Sequence, residues 1–217
     1  MNSQDLDGNR LSVPEPVKGA HLLYLAERPQ VCQKAMALLA QEVRRYLENT
    51  GLNATEIDLL TERNQADVLS PQACLAREQL VRELGWQDMP ASSRAVLFCE
   101  WAPPHVDSSF AGKAFVSLVL HTGEEPYLVQ TFHTKRHANE DPDPIALTTT
   151  SRLLRPGDLM VLDPCTPHMA APVRSSRDAL LIMLQVEWPD ATAEEREALI
   201  KRFPVSEADE EACTTLL

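Results

Sequence analysis

The chain has 217 residues, a hydrophobic fraction of 44% and a formal net charge of −12. That suits one domain around one real core. The acidic balance excludes a nucleic-acid backbone as partner, because phosphate binding needs clustered Lys and Arg.

The start, MNSQDLDGNRLSVPEP, is polar and lacks the apolar stretch of a secretory leader, and no apolar run reaches the length of a membrane span. The five cysteines, Cys32, Cys74, Cys99, Cys165 and Cys213, are odd in number and scattered, with no C-x-x-C. They read as mostly buried free thiols in a reducing cytoplasm rather than a disulfide framework or zinc site.

Residues 1–18 read as a flexible arm stiffened by Pro14 and Pro16. A helical part, 19–90, is expected to pack on the β-rich remainder of the chain. In it, 20–26 is a short apolar run fit for a strand. From Gln30 to Glu48 apolar residues recur at three and four: Val31, Ala35, Leu38, Leu39, Val43, Tyr46 and Leu47. Gly51 ends that helix as a C-cap glycine would. A second helix runs from Ser70 to Leu84, with Ser70 as cap, Pro71 in the first turn and Gly85 closing it. Leu75, Leu80, Val81 and Leu84 are its expected buried face.

The texture changes at Pro90, and 91–190 reads as the core. Strands are expected over 94–101, 114–121, 127–133, 145–154, 158–162 and 179–187. Gly123, the Asp-Pro pairs at 141–144 and Pro156-Gly157 punctuate them. Many short strands with no interleaved helices read as a mainly β fold with flanking helices, a sandwich or jelly roll. The polar stretch 133–144 reads as a loop, and 191–217 as a helix followed by an acidic tail.

His105 and Asp107 stand two apart, so on extended backbone they point to one side. His168, in a Pro-framed loop after Arg155-Pro156-Gly157-Asp158, supplies a third ligand if the chain folds back. Two His and one carboxylate on one face of a metal leave the opposite positions open, the ligand set of non-haem Fe(II) oxygenases. Arg177 is expected to open the last strand, in parity with Ala179, Leu181 and Met183. The opposite set, Asp178, Leu180, Ile182 and Leu184, is also mostly apolar, so parity does not choose the inward face.

This pattern, His-x-Asp, a Gly-Asp strand, a distal His and a basic residue beyond it, resembles the Fe(II)/2-oxoglutarate-dependent oxygenases over about residues 94–187. The resemblance implies a double-stranded β-helix with Fe(II) on the catalytic ligands His105, Asp107 and His168. It implies 2-oxoglutarate as co-substrate, its far carboxylate on Arg177 or alternatively Arg174, and molecular oxygen. The substrate class is then a small molecule or a protein side chain.

Two features depart from the family pattern. Ala179 stands where many members carry Ser or Thr, which leaves Tyr127 and Thr131 as candidates for the co-substrate's second partner. Gly123-Glu124-Glu125 stands where many carry Gly-Gly-Glu. Cys165 and the set His121, His133 and His137 are further polar candidates, with a small buried thiol and barrel-wall or solvent roles as the plainer readings. Two other functions stay open: a cupin-type metalloenzyme without 2-oxoglutarate, and a non-catalytic jelly-roll binding protein.

Overall fold

The computed structural model describes residues 22–51, 58–61, 68–135, 146–174 and 178–207. Among the described residues, ten strands and three α-helices follow in chain order: β1 (Leu23–Ala26), α1 (Gln33–Thr50), β2 (Asp58–Thr61), α2 (Pro71–Glu83), β3 (Arg94–Cys99), β4 (Ala102–His105), β5 (Lys113–His121), β6 (Tyr127–Lys135), β7 (Ala146–Leu154), β8 (Leu159–Leu162), β9 (His168–Pro172), β10 (Leu181–Pro189) and α3 (Ala193–Arg202).

The helices form where local chemistry directs. α1 ends on Gly51 at φ 62°, whose N–H donates to the Leu47 carbonyl. Ser70 caps α2 by accepting from the Ala73 N–H, with Pro71 in the first turn. Thr192 and Glu195 cap α3 reciprocally. The buried face of α2 is Ala73, Ala76, Leu80 and Val81. Leu75, expected on that face, is 70% exposed. The reason is angular: Leu75 lies five residues before Leu80, off the three-and-four rows that place Ala73, Ala76 and Leu80 on one stripe.

The strands build two antiparallel sheets. One has six strands in the order β1-β8-β5-β10-β3-β2; the other has four, β4-β9-β6-β7. From β3 to β10 the chain alternates between the sheets strand by strand, except that β6 and β7 are neighbours in the smaller one, as in an eight-stranded jelly roll, so the fold is a double-stranded β-helix flanked by helices. β1 and β2 from the N-terminal part extend the larger sheet at its two edges.

Two apolar clusters result. One lies between the sheets and includes Leu97, Phe115, Val119, Met160, Leu162, Leu181 and Met183. The other lies where α1, α2 and α3 cover the outside of the six-stranded sheet, and takes Val116, Leu118, Ile182, Leu184 and Val186. The centre of that sheet is therefore buried on both faces, which is why β5 and β10 read as continuous apolar runs.

Several expectations shift. β10 begins at Leu181, with 178–180 outside it, so Arg177 does not open that strand. A Cβ on Gly123, at φ 75°, would stand 2.5 Å from the Asp178 carbonyl oxygen. The turn after β5 and the approach to β10 thus need glycine's bare backbone to meet. β4 carries Pro103 and Pro104, which lack N–H donors, and it survives as a strand because it is an edge strand with β9 as partner. Among Cys32, Cys74, Cys99 and Cys165, all free, Cys99 is buried and the others are half-exposed, against the expected burial. The proposed N-terminal arm, most of the loop at 133–144 and nearly all the acidic tail lie outside the described residues. No described helix is long and apolar enough to cross a membrane.

Candidate metal centre

β4 and β9 pair so that His105 stands directly opposite His168. Residues opposite on antiparallel strands point to one face, so the two imidazoles meet, with ring centroids 4.3 Å apart. Asp107 follows β4. Its backbone N–H donates to the Pro164 carbonyl at 2.9 Å, which ties the His-x-Asp segment to the loop that presents His168. That loop is held by Asp163, whose carboxylate accepts from the Cys165 N–H and the Thr166 hydroxyl.

One carboxylate oxygen of Asp107 lies 3.7 Å from His105 Nε2 and 3.6 Å from His168 Nε2. With metal–ligand bonds of about 2.1 Å, ligands at right angles stand ~3 Å apart and opposed ligands ~4.2 Å. Both separations from Asp107 fall between these limits. Each ligand residue offers an atom within 4.8 Å of the others.

The imidazoles are oriented for this. His105 Nδ1 lies 2.6 Å from the Pro103 carbonyl and His168 Nδ1 2.8 Å from the Thr166 carbonyl. A carbonyl only accepts, so both Nδ1 atoms carry the proton and both Nε2 lone pairs face Asp107. This is the outer-shell bond by which ligating histidines are held. His105 Nε2 is buried with no hydrogen-bond partner. A buried acceptor left without a partner is costly, and a divalent cation at this point satisfies it.

Burial holds His168 below the ordinary imidazole range; the Thr166 carbonyl pulls it back, His105 lowers it and the Asp107 and Asp163 carboxylates raise it. The net result keeps His168 neutral, the form that binds metal. Metal affinity should therefore be flat at neutral pH and fall only as the solution is acidified below the reference imidazole value of about 6.5, because His168 is lowered from it. Metal titrations at about pH 7.5 and pH 5.5, bracketing that value, check this; equal affinities would remove histidine from the ligand set.

Behind the triad lies a cavity of about 270 Å³ between the sheets. Phe110 and Phe115, packed edge to face at 5.0 Å, stand beside it, and Leu97, Met160, Leu162 and Met183 continue its wall.

The other sequence candidates take different places in the fold. Tyr127 is fully buried, and its hydroxyl donates to the Glu100 carbonyl at 3.0 Å. Thr131 is fully buried opposite His168 in the β6–β9 register. Arg174 is exposed and lies 3.9 Å from Glu125. None of the three lines the cavity. Arg177, His137 and the side chain of His133 lie outside the described residues, and His121 ends β5, its imidazole lowered by burial and by Arg44. Burial pushes the Cys165 thiol up, as do Asp163 and Asp107, and the clustered ligand set among the described residues is His105, Asp107 and His168.

Sequence reasoning missed Ser117 and Gln185, which hydrogen-bond inside the barrel at 3.0 Å. The signal was a lone Gln in the apolar run ALLIMLQV.

No protein-family model matches the chain, and no curated protein matches it. Solved structures do. AviO1 from Streptomyces viridochromogenes Tue57 is 16% identical with a TM-score of 0.47, over 80% of this chain and 91% of that one. The non-heme alpha ketoglutarate dependent carbocyclase SnoK from nogalamycin biosynthesis is 14% identical with a TM-score of 0.46, over 79% and 81%. The epimerase SnoN of the same biosynthesis is 18% identical with a TM-score of 0.45, over 79% and 80%.

Proposed function

We propose that the chain is an Fe(II)-dependent oxygenase that uses 2-oxoglutarate and molecular oxygen to hydroxylate or demethylate a small molecule or a protein side chain. The supporting observation is the set of two Nε2 lone pairs and one carboxylate converging beside an apolar cavity, with both Nδ1 atoms tied to carbonyls. His105, Asp107 and His168 would hold the metal. Iron with 2-oxoglutarate supplies the oxidising power, with decarboxylation to succinate. The chain's own residues orient and enclose: Pro103 and Thr166 fix the tautomers, and Phe110, Phe115, Met160 and Leu162 exclude water from the reacting face. The free cysteines suit a reducing compartment, and we place the protein in the cytoplasm.

The far carboxylate of 2-oxoglutarate needs a cation. The resemblance to the family points to Arg177. A guanidinium fork donates two parallel hydrogen bonds to a carboxylate. Truncating one partner of a buried charge pair costs about 2–5 kcal/mol. Arg177→Ala should therefore raise the 2-oxoglutarate dissociation constant by at least about ten-fold and leave iron affinity nearly intact. The check is titration with 2-oxoglutarate, alongside succinate formation by the iron-loaded protein. A large loss in Arg174→Ala instead moves the anchor to Arg174. No succinate from the wild type removes the reading.

A metalloenzyme of cupin type without 2-oxoglutarate is the second reading. It is favoured by the lack of Lys or Arg among the described residues that line the cavity.

A further inference from the structure

We propose that Glu187, at the rim of the barrel beside the metal centre, anchors the substrate by binding an alkylammonium group. This rests on the oxygenase reading for its chemistry and names the class of substrate. β10 turns alternate residues inward: Leu181, Met183 and Gln185 line the cavity between the sheets, and Glu187 follows in the same parity. Glu187 stands opposite Phe115 on β5, and Phe115 opposite Leu162, the last residue of β8. Side chains paired in this way have Cβ atoms about 5 Å apart. From Leu162 the chain runs straight into the loop that carries His168, and β5 itself follows closely on Asp107. Glu187 is therefore at the metal end of the barrel, on the wall across from the triad. It does not line the cavity between the sheets, which stays free for the co-substrate.

Three features of this rim select a cation. Glu187 is half-buried, and among the described residues no hydrogen bond or ion pair engages it. Burial raises its carboxyl and Lys113 lowers it. Lys113 pairs with Pro189 and so stands diagonal to Glu187, acting at longer range. A carboxylate short of water gains from a charged donor, which bonds it more strongly than a neutral one. Second, Phe115 and Phe110 stand beside it, packed edge to face at 5.0 Å. Such rings give an alkyl stem an apolar wall, and their negative faces favour a cation over an anion. Third, the net charge of −12 draws cations to the chain from a distance.

The test is calorimetric titration of the full-length, zinc-loaded chain with three blocked amino acids. They are the Nα-acetyl N-methylamides of lysine, of norleucine, which keeps the stem without the charge, and of glutamate. Wild type should bind the lysine probe about ten-fold more tightly than the norleucine probe, the order of one hydrogen bond to a charged group. Glu187→Gln should erase that preference. Lys113→Gln, which removes the neighbouring cation, should enlarge it, and decides the matter alone if Glu187→Gln fails to fold. No preference for lysine in the wild type, or a preference unchanged in these variants, overturns the proposal. Tighter binding of the glutamate probe also overturns it, by moving the anchor to Lys113. Butylamine, the same stem and ammonium without peptide groups, separates two sources of the group: binding as tight as the lysine probe supports a small amine, and weaker binding a peptide lysine. Succinate formation without lysine selectivity overturns this proposal and leaves the oxygenase reading standing. Lysine selectivity without uptake of 2-oxoglutarate supports the rim site and removes the 2-oxoglutarate reading.

Discussion

Asp107→Ala should lower Fe(II) affinity by more than about 100-fold, beyond what loss of a mere outer-shell partner costs. Asp107 is the sole anion of the triad, and its carboxylate oxygen stands almost equally far from His105 Nε2 and His168 Nε2. Removing it leaves two neutral imidazoles and no charge to offset the cation's lost hydration. Its side chain is 30% exposed, and its backbone N–H still donates to Pro164, so the metal-free fold should melt like the wild type. Anaerobic titration with Fe(II), paired with melts of metal-free protein, reads both effects. Affinity within about ten-fold of the wild type, the low end for an outer-shell partner, would take Asp107 out of the coordination sphere.

Trp86→Ala should destabilise the protein by about 3–5 kcal/mol, the usual cost of emptying a large aromatic site. Domains of this kind have roughly 5–15 kcal/mol in all. Trp86 follows α2, is fully buried, and belongs to the cluster that binds the helices to the outside of the six-stranded sheet. Its backbone N–H donates to the Val81 carbonyl at 2.8 Å, so the ring is set by the end of the helix. Its indole N–H meets no acceptor among the described residues. Trp86→Phe, which deletes that donor and keeps one ring, should therefore cost well under the alanine value. Leu75→Ala, on the exposed side of α2, should change stability by no more than about 0.5 kcal/mol. Denaturant melts of the three variants decide the matter. A large effect at Leu75 with a small one at Trp86 would mean that α2 packs by its other face.

The sequence by itself determined what depends on neighbours along the chain. The stripe of α1, the cap Ser70 with Pro71, Gly51, and seven of the described strands were legible because periodicity and capping are local effects. So was His-x-Asp, since parity alone turns two side chains to one side. The tertiary structure decided what depends on a distant partner. β4 and β9, which hold the two histidines, were invisible because APPH and HMAAP have weak strand propensity; they are strands through their pairing with each other and of β9 with β6. The inward face of β10 was undetermined for the opposite reason. Both of its faces are buried, one by the facing sheet and one by the helices, so both read as apolar. Only the folded barrel sets Leu181, Met183 and Gln185 toward the cavity, and only the register of β4 against β9 sets His105 across from His168 with Asp107 between their Nε2 atoms.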